Sequence, residues 1–230
     1  MSSNIAIFYH GLVCLGEPAR VLPHAVWIIT EQMDQMERYG LLAAASEIHV
    51  GINGGTESMT LAKAKLPAKA NVVFHGLASR AENLTIVMIE EWVKTHPGWN
   101  VLYLHAKGAT KGIASEEGRL SAGWRNGMMH DLVVNWRRCV ADLDSGYDVV
   151  CSTFMWGMVG GVQNIAAGNF WWAKSDFLAL LPSIAQTARV KESGIAALES
   201  RYEAEVWIGN GPAPKVRSYR PQPWWWRQPC

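Results

Sequence analysis

The apolar positions fall into short β-like runs separated by stretches with helical spacing. Asn4 to Tyr9 (NIAIFY) is an apolar run that stops at His10-Gly11, the pattern of a buried first strand opening into a loop. From Val21 to Tyr39 the apolar residues Val26, Ile29, Met33 and Met36 recur at helical spacing, and Gly40 follows as a C-cap, which predicts a crossover helix. Glu47 to Ile52 reads as a second strand closed by Asn53-Gly54-Gly55, and Asn71 to Phe74 as a third. A helix is predicted over Leu84 to Thr95, capped among Glu82 and Asn83 and stopped by His96-Pro97-Gly98, and Asn100 to Leu104 is the next buried strand. Alternating strand and helix imply an α/β fold with a mostly parallel central sheet and helices on both faces, whose ligands sit beyond the carboxyl ends of the strands.

The second half is less regular. Gly108 to Gly118 is glycine-rich and polar, the signature of a loop over a site, and one helix is predicted from Trp124 to Leu143. Asp148 to Phe154 is another apolar run, and Gly157 to Gly168 has too many glycines for regular structure. Two further helices are predicted, over Ser175 to Leu181 and over Ser193 to Ile208. Beyond Gly209 the sequence turns to proline, arginine and tryptophan, which predicts one domain over residues 1–209 and an extended tail over 210–230.

Composition narrows the function classes. With 49% hydrophobic and 18% charged residues the chain is globular, and a net charge of +1 provides no global field for nucleic acid or acidic membranes. The four cysteines include no CxxC pair, which argues against a zinc cluster and a secreted disulfide framework. With no membrane span or leader in the sequence, a cytoplasmic location is expected. Twelve tryptophans are more than core packing usually needs, and flat aromatic faces bind sugar rings and bases.

The candidate chemistry gathers at strand ends. His105-Ala106-Lys107-Gly108 follows an apolar strand, and spacing of two puts His105 and Lys107 on one face of an extended segment, where an ammonium and a protonated imidazole would stabilise a diphosphate. Tyr9, His10 and Gly11, with Gly51, Asn53 and Gly54 at the second strand end, suit a nucleotide base or ribose. In GNFWWAK, Asn169 would orient hydroxyls, and Trp171 or Trp172 would stack on a pyranose. Arg80, Glu82, Trp124 and Arg125 are further candidates for phosphate or acceptor contacts. In RYEAEVW, Glu205 is favoured over Glu203 as a general base, against an alternative in which Arg201 and Glu205 form an ordinary i,i+4 surface pair. Asp142 and Asp144 read as solvated helix-end residues.

The words IAIFYHG, EIHVGINGG, NVLYLHAKGAT, GNFWWAK and RYEAEVWIG, in this order, resemble a largely uncharacterised group of glycosyltransferase-like proteins of bacteria, viruses and algae. The resemblance runs through most of residues 4–209 and implies a GT-A-like fold and a nucleoside-diphosphate sugar donor such as a UDP-sugar. In most GT-A enzymes an Asp-x-Asp holds a divalent metal where this chain has His105-Ala106-Lys107, so metal-independent transfer with no cofactor is the expectation. The acceptor would be a glycan or, in a phage, a hydroxymethylated DNA base. Lys215, Arg217, Arg220 and Arg227 beside Trp224, Trp225 and Trp226 would then supply DNA contacts. The alternative is a non-catalytic carbohydrate- or nucleic-acid-binding module on the same fold.

Overall fold

A computed structural model describes residues 4–12, 14–15, 20–21, 23–54, 56–76, 81–157, 164–187 and 203–221. The elements run β1 (Ile5–Leu12), β2 (Cys14–Leu15), β3 (Arg20–Val21), α1 (Pro23–Arg38), α2 (Leu41–Ala44), β4 (Glu47–Asn53), α3 (Thr56–Lys63), β5 (Asn71–Gly76), α4 (Ala81–Val93) and β6 (Asn100–His105). They continue as α5 (Glu116–Met129), α6 (Trp136–Asp144), β7 (Val149–Cys151), β8 (Phe154–Met155), β9 (Ile165–Ala166), β10 (Trp171–Lys174), α7 (Ser175–Leu178), α8 (Glu203–Trp207) and β11 (Val216–Ser218).

Seven strands form the central sheet in the order β11-β7-β10-β6-β1-β4-β5. The pairs β1–β4, β4–β5, β1–β6 and β7–β11 are parallel, and β10 alone runs antiparallel to both its neighbours. This is the mostly parallel sheet expected, and the carboxyl ends of β1, β4, β5, β6 and β7 lie on one edge together with the start of β10.

Helices cover both faces, so successive residues of a central strand enter different cores. Ile5, Ile7 and Tyr9 pack with Leu102, Leu104 and Trp172 against residues of α1, α5 and α6. Ala6 and Phe8 pack with Val101, Tyr103 and Trp171 against residues of α4, α7 and α8. The single helix predicted over 124–143 is instead α5 and α6, separated by a π-helical turn at His130–Val134. The glycine-rich stretch before α5 ends in a cap in which Ser115 Oγ accepts from Gly118 N at 3.0 Å.

Within the stretch expected to be an extended tail, Val216–Ser218 pairs with β7 as the sheet's edge strand. The basic residues described in this stretch are engaged locally. Arg220 Nε donates to Asp131 Oδ2 at 2.6 Å, Arg217 Nε lies 3.5 Å from Asp142 Oδ1, and Lys215 Nζ lies 4.7 Å from the Tyr147 ring centre. Asp142 also accepts from Tyr219 O–H at 2.8 Å, and Asp144 accepts from Lys174 Nζ at 2.7 Å, so neither is the merely solvated group expected. Trp224, Trp225, Trp226 and Arg227 lie outside the described residues.

Candidate functional site

The carboxyl edge of the sheet carries a connected set of polar side chains on the α4 face. His10 of β1 and His105 of β6 are register partners, so their side chains emerge side by side. Gly51 is the register partner of His10 on the other side, and a Cβ there would collide with Thr85 Oγ1 and His75 Nε2. Gly51 is thus a requirement of packing: its missing side chain lets Thr85 and His75 lie against β4. Thr85 Oγ1 is 2.9 Å from His10 Nδ1 and 3.1 Å from His75 Nε2, and its single proton serves one of them while its lone pairs accept from the other.

At the centre is Glu82, in the first turn of α4. Tyr103 O–H donates to its Oε1 at 3.0 Å, and Asn169 Nδ2 donates to the same oxygen at 2.7 Å. Trp171 Nε1 donates to Asn169 Oδ1 at 3.0 Å, and because an indole N–H can only donate, this bond turns the amide N–H₂ toward the carboxylate. Asn169 holds φ 55, the only non-glycine residue with positive φ among those described, directly after Gly168 at φ 84. Asparagine tolerates this left-handed turn better than most residues.

The electrostatics follow from burial and these contacts. Burial pushes Glu82 up, but His105, His10 and the hydrogen bonds from Asn169 and Tyr103 outweigh it and hold the carboxyl below its ordinary value. Burial pushes His10 down to about 4 and lowers His105 as well. Both rings are therefore neutral at pH 7, and there the two hydrogen bonds keep the carboxylate charged. His105 Nε2 lies 3.0 Å from the Gly168 carbonyl, which only accepts, so Nε2 carries the proton.

Several expected site residues stand elsewhere or act differently. His105 is not a cation. Nor does it share an extended face with Lys107, because β6 ends at His105 and Lys107 N turns back to donate to His105 O at 2.8 Å. The Lys107 ammonium lies 4.1 Å from the centre of the Trp124 ring. Tyr9 faces the opposite side of β1 from His10, where its hydroxyl donates to Gln32 Oε1 at 2.6 Å, and a Cβ at Gly11 would meet Ile29 and Ile52 on that same side. Tyr9, His10 and Gly11 cannot all line one pocket. Trp171 and Trp172 are both fully buried in different cores, the latter donating to Leu132 O at 2.9 Å, so neither presents a face to a sugar.

Arg125 is buried and donates through Nε and Nη2 to Glu31 Oε2 and through Nη1 to the Lys107 carbonyl, which removes it as a phosphate ligand. Asn53 is buried at the end of β4. Glu203 is buried and accepts from Asn83 Nδ2 at 2.6 Å, while Glu205 is partly exposed and its charge raises the Tyr103 phenol behind the effect of burial. Arg80 and Arg201 lie outside the described residues. Sequence reasoning ranked Glu82 low and missed Thr85, His75 and Tyr103.

A family model matches residues 8–219, nearly the whole described fold. The chain belongs to that family, Domain of unknown function (DUF8361). No curated protein matches the sequence. Among solved structures, this DUF8361 member is similar to a mycobacterial protein (14% identity, 97% of this chain and 69% of that one, TM-score 0.43). It is also similar to CMP:2-keto-3-deoxy-manno-octonic acid synthetase complexed with CTP (11% identity, 84% and 87% covered, TM-score 0.39). A third is glucosyl-3-phosphoglycerate synthase from Mycobacterium tuberculosis in complex with Mn2+, uridine diphosphate and phosphoglyceric acid (14% identity, 84% and 66% covered, TM-score 0.38). Likenesses of this degree assign no activity to this chain.

The end of β6, at His105-Ala106-Lys107, offers no carboxylate. Lys107 brings a positive charge, and His105 spends its Nε2 on a carbonyl. Among the described residues no three His, Cys, Asp or Glu side chains gather to hold a metal. No described helix is long and apolar enough to cross a membrane.

Proposed function

We propose that this protein transfers a glycosyl group from a nucleoside-diphosphate sugar to a hydroxyl acceptor at the carboxyl edge of its sheet. The observation that carries the reading is the convergence of Glu82, Tyr103, Asn169, His10 and His105 where open parallel sheets bind ligands. The sequence resemblance to glycosyltransferase-like proteins points the same way.

In this reading Lys107 neutralises the departing diphosphate as a point charge, without a bound metal. Glu82, ionised and partly exposed, faces the sugar and stabilises the positive charge that grows at the anomeric carbon as the diphosphate leaves. A carboxyl held below its ordinary value is a weak base, so its larger contribution is electrostatic, and the acceptor's hydroxyl proton passes to the departing diphosphate as the new glycosidic bond forms. Glu82 is favoured over Glu205, whose charge acts on the Tyr103 phenol behind burial and Glu82 itself. Asn169 and Tyr103 fix the carboxylate's orientation.

Uridine diphosphate and the other nucleoside diphosphates, added without manganese, are the test. At least one is expected to raise the melting temperature of the wild-type protein. Lys107→Ala should weaken that binding by about 10–100-fold, the loss of one charge-assisted contact. Equal shifts for both proteins would remove Lys107 from the site. A panel of nucleotide sugars that bind but release no diphosphate would favour the non-catalytic binding module.

A further inference from the structure

The side of the molecule next to Lys107 carries a group of residues that the diphosphate reading leaves unused. Trp27 on α1 is 52% exposed and Trp124 on α5 is 46% exposed, an unusual placement for two large indoles. Next to Trp124 in sequence is Arg125, 1% exposed, whose guanidinium carbon is 5.7 Å from the centre of the Trp27 ring. Lys107 joins the two parts, its carbonyl accepting from Arg125 Nη1 at 3.0 Å and its ammonium resting on the Trp124 ring.

Glu31 gives this patch its chemistry. Both guanidinium bonds, at 3.3 and 2.9 Å, go to Oε2, while the side chain keeps 23% of its surface exposed and Oε1 has no partner among the described residues. A carboxylate fixed by a buried arginine, with one oxygen left over, accepts hydrogen bonds from neighbouring hydroxyls at little further entropic cost. Indole faces beside such a carboxylate suit a ring with one apolar C–H face and hydroxyls on its rim. His24 stacks on Trp27 with ring centres 5.6 Å apart, which holds that indole in place.

We infer that Trp27, Trp124 and Glu31 form a pyranose-binding site that takes the acceptor, so that the acceptor is a glycan. The inference deepens the transferase reading and rests on it for the word acceptor. The Trp124 ring also lies beside the Gly168 turn, where a Cβ would come within 3.2 Å of its Cε2, which sets Trp124 beside the turn that carries Asn169.

The test is a titration of the full-length, ¹⁵N-labelled protein with methyl β-glucopyranoside, methyl β-galactopyranoside and methyl α-mannopyranoside, with and without uridine diphosphate. At least one glycoside is expected to move the indole N–H resonances of both Trp27 and Trp124 saturably. Trp27→Ala and Trp124→Ala, both at exposed positions, should each weaken that binding by about tenfold or more. The site is overturned if no glycoside moves either resonance, or if both variants bind as the wild type does. Uridine diphosphate stabilisation kept in the absence of any glycoside shift sinks the sugar site alone. Glycoside shifts with no nucleotide stabilisation establish the sugar site and sink the nucleotide reading.

Discussion

Trp171→Ala is expected to cost about 3–5 kcal/mol of folding stability, a large part of what a domain of this size has. The indole is fully buried, 5.2 Å from Tyr103 and 6.1 Å from Trp207 between ring centres, and its removal leaves a cavity in the core beneath α4 and α8. A second loss follows because Trp171 orients Asn169, and without that bond the amide no longer has to turn its N–H₂ toward Glu82. Trp171→Phe should keep most of the packing and lose mainly the hydrogen bond, about 1–3 kcal/mol for the amide oxygen left buried. Chemical denaturation of the three proteins checks the ranking. A Trp171→Ala protein as stable as the wild type would return the residue to the ligand-stacking role expected from sequence.

Acidification from pH 7 to 4 should destabilise the fold by about 3 kcal/mol through His10 alone, the equivalent of a value lowered from 6.5 to about 4. The sign follows from proton binding. Below 6.5 the unfolded chain takes up a proton at this histidine, and the folded chain does not until about 4, so stability falls with pH across that window. His75 and His105 are lowered by burial too and act in the same direction. Glu82, held below its ordinary value, adds to the loss at the acidic end. Denaturation midpoints measured at half-unit intervals should slope downward through this range, and His10→Gln should flatten the slope. A wild-type profile level between pH 7 and 5 would mean that the cluster is open enough to hydrate its rings.

The sheet was the most legible part of the sequence, because buried parallel strands such as NIAIFY and NVLYL announce themselves as uninterrupted apolar runs. Their period of two also assigns each residue to a face. Adjacent residues on a strand covered on both faces must go to different cores, which separates Trp171 from Trp172 and Tyr9 from His10 without any structure. Other features had no local signal. Glu82 is one acidic residue at a helix start until Tyr103 and Asn169, 21 and 87 residues away, converge on it. The shared face of His105 and Lys107 failed because the strand ends at His105 and the next peptide turns. Glu31 and Gln32 are neighbours on one helix, and only tertiary packing decides that one meets a buried arginine and the other a tyrosine hydroxyl.

The most direct measurement is a crystal structure of the protein grown with the nucleoside diphosphate that stabilises it most. Density is expected at the carboxyl ends of β1, β4 and β6, with the diphosphate within about 3.5 Å of Lys107 Nζ, as a charge-assisted contact requires, and with Glu82 facing the space where a sugar would follow. Nucleotide bound at another surface, or a diphosphate held by acidic residues through a metal ion, would contradict it.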